Sequence, residues 1–280
     1  MPPRIAVFCH MFHADLFSEV ARYLANIPVP ADLYFSTSTE ENRSKLREMF
    51  PRAVVEVVPN RGRDIAPKFV TFARIHDGYD YVLHLHTKAS SAAWRRHLFE
   101  HLIGSPKIVA TILNAFEHDL RLGVIAPNHY PPVAPWIRWH GNETIAATLL
   151  ERMGVELPDK IEFPAGSMFW ARPGAIKPIL ELGLRYEDFP VEPLRTGQTI
   201  AHAIERLVFI SAVHSGFGWS LVSPTSDGEL QIDGPHFTPA RPNWAPPRPP
   251  HKEGNALTRM ARRLRRSYQK RFGSLRHQTH

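Results

Sequence analysis

Val54-Val55-Glu56-Val57-Val58-Pro59-Asn60-Arg61-Gly62-Arg63-Asp64 joins a β-branched apolar run to a polar turn crowded with side chains that hold oxygens. β-Branched residues favour extended backbone, and the Pro59-Asn60 break ends the strand. In an α/β sheet a parallel strand delivers its carboxyl end to an open crevice, where ligands bind. Tyr79-Asp80-Tyr81-Val82-Leu83-His84-Leu85-His86-Thr87-Lys88 repeats the logic: a buried strand that finishes on an imidazole, a hydroxyl and an ammonium. Two such strand ends predict one pocket for an anion.

Outward from these segments, strand and helix patterns alternate. Strands are expected at Arg4 to His10, Asp32 to Ser36, Ala53 to Val58, Tyr79 to Leu85 and Leu122 to Ala126. Helices are expected at Asp15 to Leu24, Glu40 to Met49 with Thr39 as N-cap, Ile65 to Ile75, Ser105 to Phe116, Asn142 to Met153 and Thr199 to Leu207. The order predicts an α/β fold: a Rossmann-type three-layer sandwich with a mostly parallel sheet, over residues 1–220. Trp219 to Pro250 is rich in proline and glycine and reads as an irregular wrap or linker, assigned to 221–254.

The formal charge of +7 over 280 residues is unevenly placed. From Arg248 onward ten Lys or Arg face one acid, a balance of +9, which leaves the rest of the chain at −2. The body therefore carries no nucleic-acid footprint. In the 255–280 tail, Leu257, Ala261, Leu264, Tyr268 and Phe272 recur at helical spacing among arginines, predicting a basic amphipathic helix for an anionic membrane surface. Parallel titrations with anionic vesicles and RNA separate that partner from nucleic acid, and equal vesicle binding by a chain lacking Asn255 to His280 would reject it. No run of 18 apolar residues and no cleavable leader pattern is present, so the expectation is a cytoplasmic protein, peripheral on the inner face of the membrane. The single cysteine, Cys9, lies in the first strand and reads as a small buried hydrophobe.

Candidate chemistry concentrates in four segments. Asn60, Arg61, Gly62, Arg63 and Asp64 combine planar guanidinium forks suited to phosphate with a glycine that lets a ligand approach the main chain. Asp64 either caps the following helix or accepts sugar hydroxyls. His84 and His86 share a strand face, but no third ligand is near, so a divalent metal is possible and not favoured. His86, Thr87 and Lys88 read instead as a grip on a diphosphate. In Phe163 to Pro173, Gly166 and Ser167 leave room, while Phe169 and Trp170 either stack on sugar rings or fill the core. Trp136 and Trp139 stand in a proline-rich loop and are assigned to the acceptor side, as is His202. Asp188, Glu192 and Glu205 are candidate general bases. A Gly-x-Gly-x-x-Gly cofactor loop is missing after the first strand, which weakens the case for a sugar-phosphate or nucleotide-sugar modifying enzyme of a different reaction class.

Four motifs in order, Asn60-Arg-Gly-Arg-Asp-Ile-Ala-Pro67, His86-Thr-Lys88, Phe163 to Arg172 and Ala201-His-Ala-Ile-Glu-Arg-Leu207, resemble the rhamnan synthesis protein F family over about Ile5 to Phe217. The resemblance implies a GT-A-like glycosyltransferase acting on a nucleoside-diphosphate sugar, with rhamnose or another deoxyhexose as the sugar. A lipid-linked or growing cell-surface glycan is the implied acceptor, with other polysaccharide-assembly proteins as possible partners. His84-Leu-His86 then falls where many such enzymes carry Asp-x-Asp, and Thr196-Gly197-Gln198-Thr199 stands where the family has Asp-Gly-Thr. The base role passes to Asp188, Glu192 or Glu205. These departures keep open a second reading, a catalytically silent glycan- or nucleotide-binding subunit.

Overall fold

A computed structural model describes residues 2–193, 197–225 and 229–241. Thr196 and the expected basic helix at 255–280 lie outside the described residues. The strands are β1 (Ile5–His10), β2 (Ala31–Thr37), β3 (Val54–Val57), β4 (Tyr81–His86), β5 (Leu122–Pro127), β6 (Phe169–Ala171), β7 (Gly218–Pro224) and β8 (Leu230–His236). They form one sheet in the order β3-β2-β1-β4-β6-β5-β7-β8. Pairing is parallel except at β6, which runs antiparallel to β4 and β5, and at β8, antiparallel to β7. This is the mostly parallel α/β sheet expected from the alternating pattern.

The period-2 alternation of each strand sorts its side chains into two cores. Ile5, Val7 and Cys9 of β1 face one, and Ala6 and Phe8 face the other. Helices α1 (Phe17–Leu24), α2 (Glu40–Met49), α3 (Ala92–Ile103) and α4 (Pro106–His118) cover the first face. The second is covered by α5 (Glu143–Arg152), α6 (Pro173–Leu180), α7 (Ile200–His214) and the short turns at 65–78. Thr39 caps α2 by accepting the Asn42 amide at 3.1 Å, and Ser91 caps α3 by accepting that of Trp94 at 3.2 Å.

Three expectations are corrected. Instead of one α-helix over Ile65 to Ile75, a π turn (Pro67–Thr71) runs into a 3-10 helix (Ala73–Gly78). Pro67 has no amide to donate, and the Phe72 amide reaches back to the Pro67 carbonyl at 3.2 Å. Within the expected irregular wrap, Gly218–Pro224 and Leu230–His236 are instead the last two strands, while 242–254 lie outside the described residues. Gly234 and Pro235 are tolerated because β8 is an edge strand with a register shift opposite Trp219 and Leu221. β8 is further tied down by Arg241, whose guanidinium donates to the fully buried carboxylate of Glu162 at 2.7 to 3.0 Å and to Asp233 at 3.2 Å. Finally, Phe169 and Trp170 lie in the centre of the sheet, fully buried on opposite faces. Core packing uses both rings, so neither is free to stack on a sugar.

Candidate functional site

From β1 the chain turns to β2 and β3 on one side and later returns to lay β4 on the other. The carboxyl ends of β1 and β4 therefore frame a topological switch point, the place where open α/β sheets bind ligands. A cavity of about 590 Å³ opens there. β1 and its exit contribute His10, Phe12 and His13, and β4 contributes His86, Thr87 and Lys88. The turn after β3 adds Asn60, Arg63 and Asp64, the approach to β6 adds Gly166 and Ser167, and α7 adds His202 and Glu205. Five segments far apart in sequence thus converge, with Arg63 and Lys88 lining the same cavity.

Local backbone explains how the polar side chains are aimed. Gly62 and Arg63 are consecutive left-handed residues, with φ of +66° and +56°. A Cβ at Gly62 would meet Phe189 Cδ1 at 2.5 Å, so only glycine fits beneath that ring. The turn is pinned to the 189–192 strand-like segment by Arg61, whose guanidinium donates to the Phe189 carbonyl at 3.0 Å, and by the Glu192 amide donating to the Asn60 carbonyl at 3.1 Å. Gly166 (φ +95°) and Ser167 (φ +59°) make a second left-handed pair. Left-handed Arg63 and Ser167 cost conformational energy, and such strain concentrates at ligand sites. Thr87 stitches β4 to the exit of β1: its hydroxyl accepts the Phe12 and His13 amides at 2.9 and 3.0 Å.

The charges are largely paired. Arg63 donates to Glu192 Oε1 at 3.1 Å and to His202 Nε2 at 2.9 Å. A guanidinium only donates, so Nε2 of His202 is the acceptor and its Nδ1–H donates to Thr199 Oγ1 at 2.8 Å. Beneath the wall, Lys68, 1% exposed, donates to Asp64 Oδ2 at 2.9 Å and to the Ser167 carbonyl at 2.8 Å. His86 Nε2–H donates to the Gly166 carbonyl at 2.8 Å. Glu205 Oε1 accepts the Gly166 amide at 2.8 Å, while Oε2 stands 3.7 Å from the Arg206 guanidinium.

Burial then sets the protonation states. It pushes His10 and His202 down to about 3 and His86 to about 4, so these imidazoles are neutral near pH 7. Burial lowers Lys88 too, against the pull of Glu205 and Asp64. Asp64 would be raised by burial alone, but His86 and Lys68 overcome this and hold it well below the carboxylate range; with His86 neutral, Lys68 is the partner that counts. Glu205 is raised by burial, which outweighs Arg206 and the Gly166 amide. The site therefore offers a basic carboxylate, neutral imidazoles and a cation at Lys88.

Several assigned residues sit elsewhere. Asp188 is exposed and caps its own 3-10 turn, accepting the Arg185 amide at 2.7 Å, so it does not reach the cavity. Trp139 is buried, its indole donating to the Pro158 carbonyl at 2.8 Å, and half-buried Trp136 lies under the Arg138 guanidinium. Neither lines the cavity. Arg61 and Gly62 shape the turn without entering it. His84 is fully buried and donates to His76 Nε2 at 3.0 Å in the core. Among the described residues no group of three or more His, Cys, Asp or Glu is placed to hold a metal ion. Sequence reasoning missed His10, Phe12, His13, Lys68 and Trp94. The first strand ends as the fourth does, and Asp64 and Lys68 are one turn apart, so both signals were present.

These features define an α/β protein with a cavity lined by charged and polar side chains at the switch point of its sheet. Residues 1–217 match the rhamnan synthesis protein F family, and the chain belongs to that family. Two curated relatives, each called Uncharacterized protein WxcX, come from Xanthomonas campestris pv. campestris strains B100 and ATCC 33913. Both are 34% identical over 234 residues, covering 80% of this chain. The chain spans about a third, 33%, of the length of these relatives. A crystal structure of 4-diphosphocytidyl-2C-methyl-D-erythritol synthase overlaps 76% of this chain and 99% of its own, at 8% identity and a TM-score of 0.36. Among the described residues no helix is long and apolar enough to cross a membrane.

Proposed function

We propose that this chain is a glycosyltransferase unit with a GT-A-like layout that moves a sugar from a nucleoside-diphosphate donor to a glycan hydroxyl. The observation that carries the reading is the convergence of Lys88, Arg63 and Glu205 on one cavity at the carboxyl ends of β1 and β4. The family's rhamnan chemistry favours a deoxyhexose donor and a lipid-linked or growing glycan acceptor.

In this mechanism Glu205, raised by burial and with its Oε2 3.7 Å from the Arg206 guanidinium, takes the proton of the acceptor hydroxyl. The acceptor oxygen forms a bond to the anomeric carbon as the bond from that carbon to the diphosphate oxygen breaks, with inversion. The leaving diphosphate keeps the bonding pair, and Lys88 with Arg63 offsets its charge. Glu192 holds Arg63 in place, its Oε1 already engaged by the guanidinium. The test is nucleoside-diphosphate release from a panel of activated sugars, with and without lipid-linked acceptor. Acceptor-dependent release supports the transferase, whereas saturable donor binding with no transfer across the panel replaces it with a silent binding subunit.

A further inference from the structure

Three donors that line the cavity have no acceptor among the described residues. Ser167 Oγ and Trp94 Nε1 are buried without a hydrogen-bond partner, and both residues line the cavity. The Lys88 ammonium rests 3.7 Å from the centroid of the Trp94 ring and hydrogen-bonds no carboxylate or carbonyl among the described residues. Leaving such groups unpaired costs stability, and native proteins seldom accept the cost without a use for it.

The three groups are neighbours. A Cβ on Gly166 would stand 3.3 Å from Trp94 Cζ2, two bonds from the indole nitrogen, so the Gly166-Ser167 turn packs against the edge that carries Nε1. Each group is also held from behind. Lys68 and His86 engage the Ser167 and Gly166 carbonyls, both at 2.8 Å. Arg95 donates to the Lys88 carbonyl at 2.7 Å while its other nitrogens meet Glu19 at 3.0 and 2.9 Å. With their backbones fixed, the ammonium, hydroxyl and indole N–H form a preorganised set of donors. The lining cation at Arg63 is already engaged by Glu192 and His202, which leaves Lys88 as the charge with a free face.

We propose that Lys88, Ser167 and Trp94 form an oxyanion subsite that takes a phosphate group of the donor through protein donors alone, without a bridging metal ion. The inference rests on the nucleotide-sugar reading and locates the diphosphate at the Trp94 end of the cavity, with Glu205 facing it. Binding draws the Lys88 ammonium from the indole face onto the anion, and the Ser167 and Trp94 hydrogens gain the acceptors they lack.

The test is calorimetric titration of the full chain with inorganic pyrophosphate in EDTA. The expected result is saturable binding, weakened about 10-fold by Ser167→Ala and by Trp94→Phe and about 30-fold or more by Lys88→Met. Lys88→Arg keeps the charge and stays within about 3-fold. Circular dichroism and thermal midpoints confirm that each variant is folded, and the two mild substitutions carry the test if Lys88→Met is not. No binding by the wild type at millimolar pyrophosphate, binding that needs added magnesium, or unchanged binding by both Ser167→Ala and Trp94→Phe overturns the subsite. Pyrophosphate binding that follows the predicted pattern in a chain that transfers no sugar would instead defeat the transferase and leave the subsite standing.

Discussion

Replacing Lys68 by methionine tests how the floor of the cavity is held. The lysine stem is 1% exposed, and its ammonium donates to Asp64 Oδ2 at 2.9 Å and to the Ser167 carbonyl at 2.8 Å. Methionine fills most of the stem volume but strands a buried carboxylate and a carbonyl. Removing one partner of a buried pair costs about 3–5 kcal/mol. In a folded unit of this size each kcal/mol moves the melting midpoint roughly 2–4 °C, so a drop of about 6–20 °C is expected. Asp64→Asn in the Lys68→Met background removes the stranded charge and should recover part of the loss, giving a coupling energy of about 1–3 kcal/mol. Because Asp64 is held below its ordinary value of 3.8, the contribution is full above that value and is lost as the pH falls beneath it. Urea unfolding of wild type, both single variants and the double variant closes the cycle. A Lys68→Met loss below about 1 kcal/mol, or no coupling, refutes the reasoning.

Three further outcomes follow from the geometry. Burial raises Glu205 above its ordinary 4.5, so kcat/KM should fall as the pH drops through a value above 4.5, since the base acts only when ionised; a limb at or below 4.5 rejects this assignment. Gly62→Ala combines a left-handed backbone with a Cβ 2.5 Å from Phe189 and should cost about 2–5 kcal/mol in chemical denaturation, against about 1 kcal/mol for Gly154→Ala, where φ is +70° and nothing lies within 4 Å. Arg241→Met strands the buried Glu162 carboxylate beside His129 and should cost about 3 kcal/mol. Hydrogen exchange should then quicken at β8 while β1 is unchanged, and uniform protection along the sheet would contradict the tether.

Much of this architecture is written in local pattern. The β-branched run ending at Pro59 and the run ending at His86 announce both their strands and the polar turns that follow, because strand periodicity and turn chemistry are properties of neighbours in sequence. Thr39 as a cap was legible for the same reason. What local pattern hides is the use of an aromatic ring: Phe169, Trp170 and Trp139 have the composition of a sugar platform, yet pairing of β6 between β4 and β5 buries the first two. Likewise Gly234 and Pro235 read as irregular until β8 is known to lie at a sheet edge. Asp188 looked like a base and serves as a cap, a choice made by three residues of backbone. The unpaired donors of Ser167 and Trp94 become visible only once distant segments are folded together.

The central claim is that one cavity holds a leaving diphosphate beside a carboxylate that deprotonates the acceptor, and Glu205→Gln tests it most directly. Single-turnover transfer from a donor that the wild type uses should slow about 100-fold or more, with the donor Kd within about 3-fold, because the amide keeps the size of the side chain and loses only its basicity. Transfer at the wild-type rate by Glu205→Gln, or loss of donor binding with unchanged turnover at saturation, would contradict the account.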